Sequence, residues 1–132
     1  KRRTMVKLLI IDDDVTICDF LKSFFSKIGY DVSIANEGKQ AVDIVREKRP
    51  EIILLDVKMP GFSGLEVLQE IKKIDNTSKV IMVSAVDEGI VIELAERYGA
   101  TGYIIKPFSL ERLEREVFRA SPHKETYRKQ IH

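Results

Sequence analysis

Residues 6–29 read VKLLIIDDDVTICDFLKSFFSKIG and contain a strand pattern followed by a helix pattern. The run from Val6 to Ile11 is short and almost continuously apolar, which is typical of a strand buried on both faces. From Val15 onward, apolar residues recur at spacings of three and four, and Gly29 stands where helices commonly end. This stretch therefore predicts one buried strand and one amphipathic helix.

The same alternation of strand and helix repeats along the chain as far as Phe118. Further strands are predicted around Val32 and Ile34, at Ile52–Leu55, at Val80–Val83 and at Tyr103–Ile105. Apolar stripes at helical spacing lie within residues 41–45, 65–74, 91–98 and 110–117, and Ser109 is the predicted N-cap of the last helix. Strands that are apolar on both faces favour a parallel sheet covered on both sides by helices, so the predicted class is α/β.

The composition indicates one globular domain. The chain has 132 residues, of which 44% are apolar, and its 22 basic and 21 acidic side chains leave a net charge of +1. This balance argues against a uniformly basic nucleic-acid-binding surface, and no apolar run approaches the roughly 18 residues that span a bilayer. A single cysteine, Cys18, excludes an intramolecular disulfide. We expect a cytoplasmic domain that binds neither membrane nor nucleic acid directly.

The charge is distributed unevenly along the chain. Residues 1–7 carry four basic and no acidic side chains, residues 119–132 carry four basic and one acidic, and residues 8–118 have a net charge of −6. We interpret residues 6–120 as one acidic domain and residues 1–5 and 121–132 as basic tails. Such tails are either simply solvated or bind weakly to an acidic partner.

Polar residues follow four of the five predicted strands. Asp12 and Asp13 follow the first strand, Asp56 the third, Ser84 the fourth and Lys106 the fifth. In open parallel sheets, ligands bind beyond the carboxyl ends of the strands. If the first and third strands are neighbours, about 4.8 Å apart, their three carboxylates gather at one point of this edge.

Carboxylates at such a short distance repel one another, so either their pKa values rise or a cation neutralises them. Mg²⁺ suits such a site, because it binds one or two carboxylates and leaves its other positions to water and phosphate oxygens. A carboxylate beside Mg²⁺ is a competent nucleophile that forms an aspartyl-phosphate. An ammonium from Lys106 and a hydroxyl from Ser84 would then hold the phosphoryl oxygens.

Several of these features also have purely structural explanations. An acidic triplet is often a solvated loop, and Asp14 can simply cap the first helix. Cys18 is expected to be a small buried apolar residue. For Phe20 and Phe24 on the first helix, we favour core packing over a docking face, whereas Ile92 is expected to point to solvent.

The motifs that follow the strands match a known family in residue type and spacing. They are IIDD at residues 10–13, LLDVKMPG at 54–61, Gly64, SA at 84–85 and YIIKPF at 103–108. From Val6 to about Ala120 the chain resembles the receiver domains of two-component response regulators. The resemblance implies a flavodoxin-like (βα)5 fold, doubly wound around a five-stranded parallel sheet with strand order 2-1-3-4-5.

The resemblance also implies roles for the three acidic residues that follow the first and third strands. Asp56 would accept the phosphoryl group, and Asp12 and Asp13 would form the acidic pair that recruits Mg²⁺. Asp56 and the main-chain carbonyl of Lys58 would complete the protein ligands of this ion. The cation of Lys58 beside the acceptor is a departure from the family pattern, and it would either hold the phosphoryl group or obstruct the water that removes it.

The remaining motifs imply a conformational switch. Lys106 would pair with the phosphoryl group and precede Pro107 through a cis bond. Ser84 occupies the switch Ser or Thr position, and the small Ala85 beside it would keep the phosphoryl group accessible. Tyr103 occupies the switch aromatic position, where it would move between outward and inward rotamers as phosphorylation shifts the conformational population.

The resemblance implies a signalling phosphoacceptor that receives its phosphoryl group from a sensor histidine kinase or a phosphotransfer protein. Such a domain catalyses only its own Mg²⁺-dependent phosphorylation and dephosphorylation, and it can dimerise when phosphorylated. Only twelve residues follow Ala120, so the sequence predicts a stand-alone relay or the N-terminal portion of a longer regulator, with no output domain in view. The alternative is an Mg²⁺-dependent phosphatase of small molecules that also forms an aspartyl-phosphate. Such an enzyme would need an acid where Lys58 stands, as well as a lid.

Overall fold

The computed structural model describes residues 5–59, 61 and 63–122. Within them, five strands alternate with five helices, as the sequence pattern predicts. The elements are β1 (Lys7–Ile11), α1 (Val15–Lys27), β2 (Asp31–Ala35), α2 (Gly38–Lys48), β3 (Ile52–Leu55), α3 (Gly64–Ile74), β4 (Lys79–Ser84), α4 (Gly89–Arg97), β5 (Gly102–Ile105) and α5 (Leu110–Ala120).

All five strands form one parallel sheet in the order β2-β1-β3-β4-β5. Strand β1 aligns Ile10 with Ile34 of β2 on one side and with Leu54 of β3 on the other. This arrangement confirms the α/β class and the strand order that the resemblance implies. It also brings the carboxyl ends of β1, β3, β4 and β5 to one edge of the sheet.

Successive side chains of each strand point to opposite faces, so the sheet divides the core into two layers. Leu8 and Ile10 of β1 face the layer formed with α1 and α5, whereas Leu9 and Ile11 face α2, α3 and α4. Both layers are fully buried at these positions. This explains why β1 has an apolar run instead of an alternating pattern.

The predicted helix ends agree with the structure. The carboxylate of Asp14 accepts a hydrogen bond from the main-chain N–H of Ile17 and caps α1, and Ser109 caps α5 through the N–H of Arg112. Gly29 follows α1 with a φ of 107°, a conformation that favours glycine. These local signals fix where the helices start and stop.

Two expectations about exposed apolar residues need correction. Phe20 on α1 is 58% exposed, so core packing is wrong for this side chain, whereas Phe24 is half-buried and its ring lies 5.1 Å from that of Phe25. On α4 the strongly exposed apolar residue is Ile90, at 63%, while Ile92 is half-buried. Helical spacing identifies the core stripe but not how far neighbouring loops cover the next residue.

The end of α5 is tied to the turn before β2. The hydroxyl of Ser121 donates to the carbonyl of Val117 at 2.8 Å, and it therefore accepts the hydrogen bond from the hydroxyl of Tyr30 at 2.9 Å. Both side chains are buried. The packed body thus extends to Ser121, and the predicted tail segments 1–4 and 123–132 lie outside the described residues.

Among the described helices, none has both the length and the apolar character that crossing a bilayer requires.

Candidate functional site

The polar residues at the strand ends are held by main-chain hydrogen bonds that continue the sheet. The N–H of Asp56 donates to the carbonyl of Ile11 at 3.0 Å, and the N–H of Lys106 donates to the carbonyl of Ser84 at 2.9 Å. These bonds extend the β1–β3 and β4–β5 pairings by one residue. The side chains that follow the strands are consequently fixed along one edge of the sheet.

Three carboxylates meet at this edge and form what we call the acidic pocket, consisting of Asp12, Asp13 and Asp56. Each residue offers one oxygen, and these oxygens lie within 4.8 Å of one another. Asp12 and Asp56 are 5% and 7% exposed, whereas Asp13 is exposed. The pocket therefore combines two buried carboxylates with one that faces solvent.

Lys106 supplies the cation of the acidic pocket. Its Nζ lies 2.8 Å from Oδ2 of Asp12 and 3.1 Å from Oδ2 of Asp56. The peptide bond between Lys106 and Pro107 is cis. This single ammonium pairs with two of the three carboxylates, so the group retains an excess of negative charge.

Burial and charge pairing act in opposite directions on the pKa values of this group. Burial raises the pKa of Asp12, and hydrogen bonds from Lys106 and from the N–H of Asp14 only partly oppose it. Burial lowers the pKa of Lys106, but its hydrogen bonds and charge attraction to Asp12 and Asp56 outweigh that effect and raise the pKa. Both partners of one ion pair thus have a raised pKa. We attribute this to the deeper burial of Asp12, whose carboxylate loses more hydration than the ammonium does.

The oxygen donors of the acidic pocket suit a hard divalent cation. Carboxylate oxygens are the preferred protein ligands of Mg²⁺, which keeps its other positions for water or phosphate. A divalent ion would neutralise the excess charge that Lys106 leaves. The residues present therefore fit the ion that the resemblance implies.

The loop between β3 and α3 folds back onto the main chain of Asp56. The N–H of Gly64 donates to the carbonyl of Val57 at 2.6 Å, and a Cβ at position 64 would collide with the carbonyl oxygen of Asp56. In the same loop, the N–H of Lys58 donates to Oδ1 of Asp56 at 3.2 Å. Gly64 appears in the sequence motif, and this close approach is the physical reason that glycine is needed there.

The side chains of Ser84 and Tyr103 both form hydrogen bonds with the main chain of Val86. Oγ of Ser84 accepts a hydrogen bond from the N–H of Val86 at 3.1 Å, and the hydroxyl of Tyr103 donates to the carbonyl of Val86 at 2.7 Å. Burial raises the pKa of the Tyr103 phenol, and hydrogen bonding with Ser84 opposes this shift. The two predicted switch residues are therefore linked through the loop that follows β4.

Asn36 belongs to none of the sequence motifs, although its side chain contacts the main chain of the site. Its Nδ2 donates to the carbonyl of Asp12 at 2.9 Å, and Sγ of Cys18 donates to the same carbonyl at 3.3 Å. The only sequence signal is that Asn36 directly follows β2 at the polar edge of the sheet. β2 itself ends in the small apolar Ala35, which gives no indication of a polar site.

Comparisons of the sequence with a family model and with known proteins agree on one family. The family model described as "Response regulator receiver domain" matches residues 8–118. The chain is 38% identical over 116 residues to sporulation initiation phosphotransferase F of Bacillus subtilis, and the alignment covers 88% of this chain and 94% of that protein.

Solved structures agree with this result. A CheY-like response regulator receiver domain protein from Methanospirillum hungatei has a TM-score of 0.85 at 28% identity, with 96% of this chain and 97% of that chain covered. The CheX-CheY complex with BeF3 and Mg from Borrelia burgdorferi has a TM-score of 0.81 at 28% identity, with 86% and 87% covered. Family match, close relative and fold point the same way, and the chain belongs to the response regulator receiver domains, the phosphoryl-accepting modules of two-component signalling.

Proposed function

We propose that Asp56 is the phosphoacceptor of this receiver domain. The observation that carries the proposal is the position of its buried carboxylate, which stands at the end of the central strand β3 with the Lys106 ammonium 3.1 Å away. Asp13 is exposed at the same edge and leaves the pocket open to solvent. Among the described residues, only Asp12 shares this burial, the lysine partner and the strand-end position. The family resemblance of the motif at residues 54–61 favours Asp56 over Asp12 as the acceptor.

The acidic pocket would hold Mg²⁺ through Asp12, Asp13, Asp56 and the main-chain carbonyl of Lys58. When bound, the ion would neutralise charge on the phosphoryl oxygens. The presence of BeF3 and Mg in the related complex from Borrelia burgdorferi supports this assignment. The excess negative charge of the pocket supports it independently.

Transfer requires one bond to form and one to break. A carboxylate oxygen of Asp56 attacks the phosphorus of a phosphohistidine, the new O–P bond forms as the P–N bond breaks, and its electron pair stays on the imidazole. Lys106 then moves its hydrogen bond from the Asp56 oxygen to a phosphoryl oxygen. Hydrolysis removes the group when a water oxygen attacks the same phosphorus: the new O–P bond forms as the bond from phosphorus to the Asp56 oxygen breaks, its electron pair restores the carboxylate, and the water proton passes to inorganic phosphate or solvent. The reactions that we propose for the domain are its own phosphorylation and dephosphorylation.

Ser84 and Tyr103 would change conformation in response to the phosphoryl group. A hydrogen bond from the Ser84 hydroxyl to the third phosphoryl oxygen would displace the loop that contains Val86. Because Tyr103 is bonded to that same residue, its rotamer would respond to the displacement. Phosphorylation would thereby shift the population of a surface formed by α4 and β5.

The partner would be a sensor histidine kinase or a phosphotransfer protein. Val15 and Phe20 are exposed apolar side chains of α1, the helix that begins directly after the acidic residues, and they offer such a donor a contact surface. We further propose that residues 6–120 are the receiver domain and that residues 1–5 and 121–132 are its basic tails, of which Ser121 is still packed against the domain. A cytoplasmic location and a phosphorylation-dependent dimer stay predictions.

The direct test is chemical phosphorylation by acetyl phosphate in the presence of Mg²⁺. We expect intact mass spectrometry to show one added phosphoryl group, and the Asp56→Asn variant to show none. Asp43→Asn, which removes an exposed carboxylate from α2, is the matched control and should be labelled normally. Equal labelling of the Asp56→Asn variant would overturn the assignment.

A further inference from the structure

The main chain of Asp12 lies just beyond β1 and depends on side chains for part of its hydrogen bonding. Its N–H donates to the carbonyl of Ala35 at 3.1 Å. Its carbonyl receives two side-chain donors, Nδ2 of Asn36 at 2.9 Å and Sγ of Cys18 at 3.3 Å. A buried carbonyl without donors would be costly, so these two side chains determine where the Asp12 peptide can sit.

The two donors also contact each other and form a closed triangle. Nδ2 of Asn36 lies 3.6 Å from Sγ of Cys18 and can donate its second hydrogen to it. The amide must face the carbonyl through its nitrogen, because a carbonyl oxygen only accepts hydrogen bonds. Burial raises the pKa of the Cys18 thiol to about 11, so the thiol keeps the proton that it donates at neutral pH.

The main chain of Asn36 also contacts α2. Its main-chain N–H donates to Oε1 of Gln40 at 3.0 Å. The triangle thus connects the end of β2, the first turns of α1 and the Asp12 peptide. On the other side of this peptide, Oδ2 of Asp12 lies 2.8 Å from Nζ of Lys106.

We propose that Asn36 is a positioning residue of the acidic pocket: with Cys18, it fixes the Asp12 main chain so that the Asp12 carboxylate is presented to the cation. The inference rests on the proposed function of the pocket as a Mg²⁺ site. Groups that orient metal ligands typically change metal affinity by 10- to 100-fold. Because Asn36 acts through the main chain, we expect the lower end of that range.

The test is a Mg²⁺ titration by isothermal calorimetry, with thermal unfolding in Mg²⁺-free buffer as a second readout. Asn36→Ala should weaken Mg²⁺ binding by about tenfold. Gln40→Ala removes the neighbouring hydrogen bond but leaves the triangle, and it should change the affinity less than twofold by the same reasoning. A structural role alone would lower the unfolding temperature without separating these two variants in Mg²⁺ affinity.

Cys18 provides a second pair of variants that stays informative if Asn36→Ala fails to fold. Cys18→Ala removes the second donor and should weaken Mg²⁺ binding, whereas Cys18→Ser keeps an O–H donor and should restore it. Equal affinities of Asn36→Ala and Gln40→Ala, or of the two Cys18 variants, would overturn the inference. Failure of the unmodified protein to bind Mg²⁺ would instead overturn the proposed function of the pocket.

Discussion

Lys106 neutralises only part of the charge that the acidic pocket gathers. Its ammonium bonds to Asp12 and Asp56, and the third carboxylate, that of Asp13, faces solvent. Burial still raises the pKa of Asp12, which means that its ionised form is less stable in the folded chain than in the unfolded chain. Binding sites commonly retain such a cost to folding, because the same charge attracts the ligand.

We expect Asp12→Asn to increase the free energy of unfolding in Mg²⁺-free buffer at pH 7 by about 1 kcal/mol. The variant removes a buried negative charge, while Lys106 keeps Asp56 as its partner. Urea denaturation in the presence of EDTA measures the change. Asp19→Asn, which removes an exposed carboxylate from α1, should leave the stability within about 0.5 kcal/mol.

The same residue predicts an unusual pH dependence. Burial holds the pKa of Asp12 in the folded chain above its ordinary value of 3.8, so between these two values the folded state binds more protons than the unfolded state. The contribution of Asp12 to stability therefore increases as the pH falls from neutral through its raised pKa toward 3.8. Subtracting the free energy of unfolding of Asp12→Asn from that of the unmodified protein at each pH isolates the contribution of Asp12. A difference that becomes less favourable as the pH falls would contradict the prediction.

Gly64 and Gly89 begin helices but differ in their surroundings. A Cβ at Gly64 would meet the main chain of Asp56, whereas a Cβ at Gly89 would meet no atom within 4 Å. We expect Gly64→Ala to destabilise the protein by about 1–3 kcal/mol and Gly89→Ala to be neutral or stabilising by up to about 1 kcal/mol. Urea denaturation of both variants tests this, and equal effects would show that the loop can move away from Asp56.

The helices differ in how their ends are held. The start of α1 is capped by Asp14, directly after the acidic pair, so the helix and the site share one turn. The end of α5 is held instead by the buried hydrogen bond between Tyr30 and Ser121, at the opposite edge of the sheet. The Asp14 cap thus positions the helix beside the site, whereas the hydrogen bond between Tyr30 and Ser121 joins the last helix to the second βα unit.

Tyr30→Phe removes one partner of this buried bond, and we expect it to cost about 1 kcal/mol. Tyr98→Phe, which removes a half-buried phenol at the end of α4, should cost less than about 0.5 kcal/mol. A double variant with Ser121→Ala should be less destabilised than the two single variants added together, because both lose the same bond. Strict additivity in urea denaturation would contradict the assignment.

Much of the architecture is predictable because it depends on patterns that recur along the chain. Apolar periodicity predicts all ten elements, and the polar residues after the strands predict which edge holds the site. Family resemblance was needed for the strand order, since alternating strands and helices allow more than one order of a parallel sheet. The structure then brings Asp12, Asp56 and Lys106 within hydrogen-bonding distance.

Contacts made through loops and main-chain atoms were not predictable. The bond from Asn36 to the Asp12 carbonyl joins side chain to backbone across 24 positions, and no residue pattern encodes it. The hydrogen bond from the Tyr103 hydroxyl to the carbonyl of Val86 likewise depends on the path of the loop that follows β4. Exposure of Phe20 was misjudged because helical spacing alone does not show where the neighbouring elements end.

The molecule as a whole concentrates its negative pocket at one edge, so cation binding should stabilise the entire fold. At Mg²⁺ concentrations 100 times the dissociation constant, we expect a gain of about 2.7 kcal/mol in the free energy of unfolding. Asp13→Asn should lose most of this gain, and Asp19→Asn should retain it. Urea denaturation with and without Mg²⁺ measures both, and equal gains in the two variants would place the ion elsewhere.

Cys18 is the sole cysteine of the chain, and its thiol is buried in the first turns of α1. A maleimide can react with it only when that helix opens and the thiol ionises, so native-state alkylation reports the opening of α1 without an introduced label. The chain thus contains its own chemical reporter of how often the helix beside the acidic pocket opens.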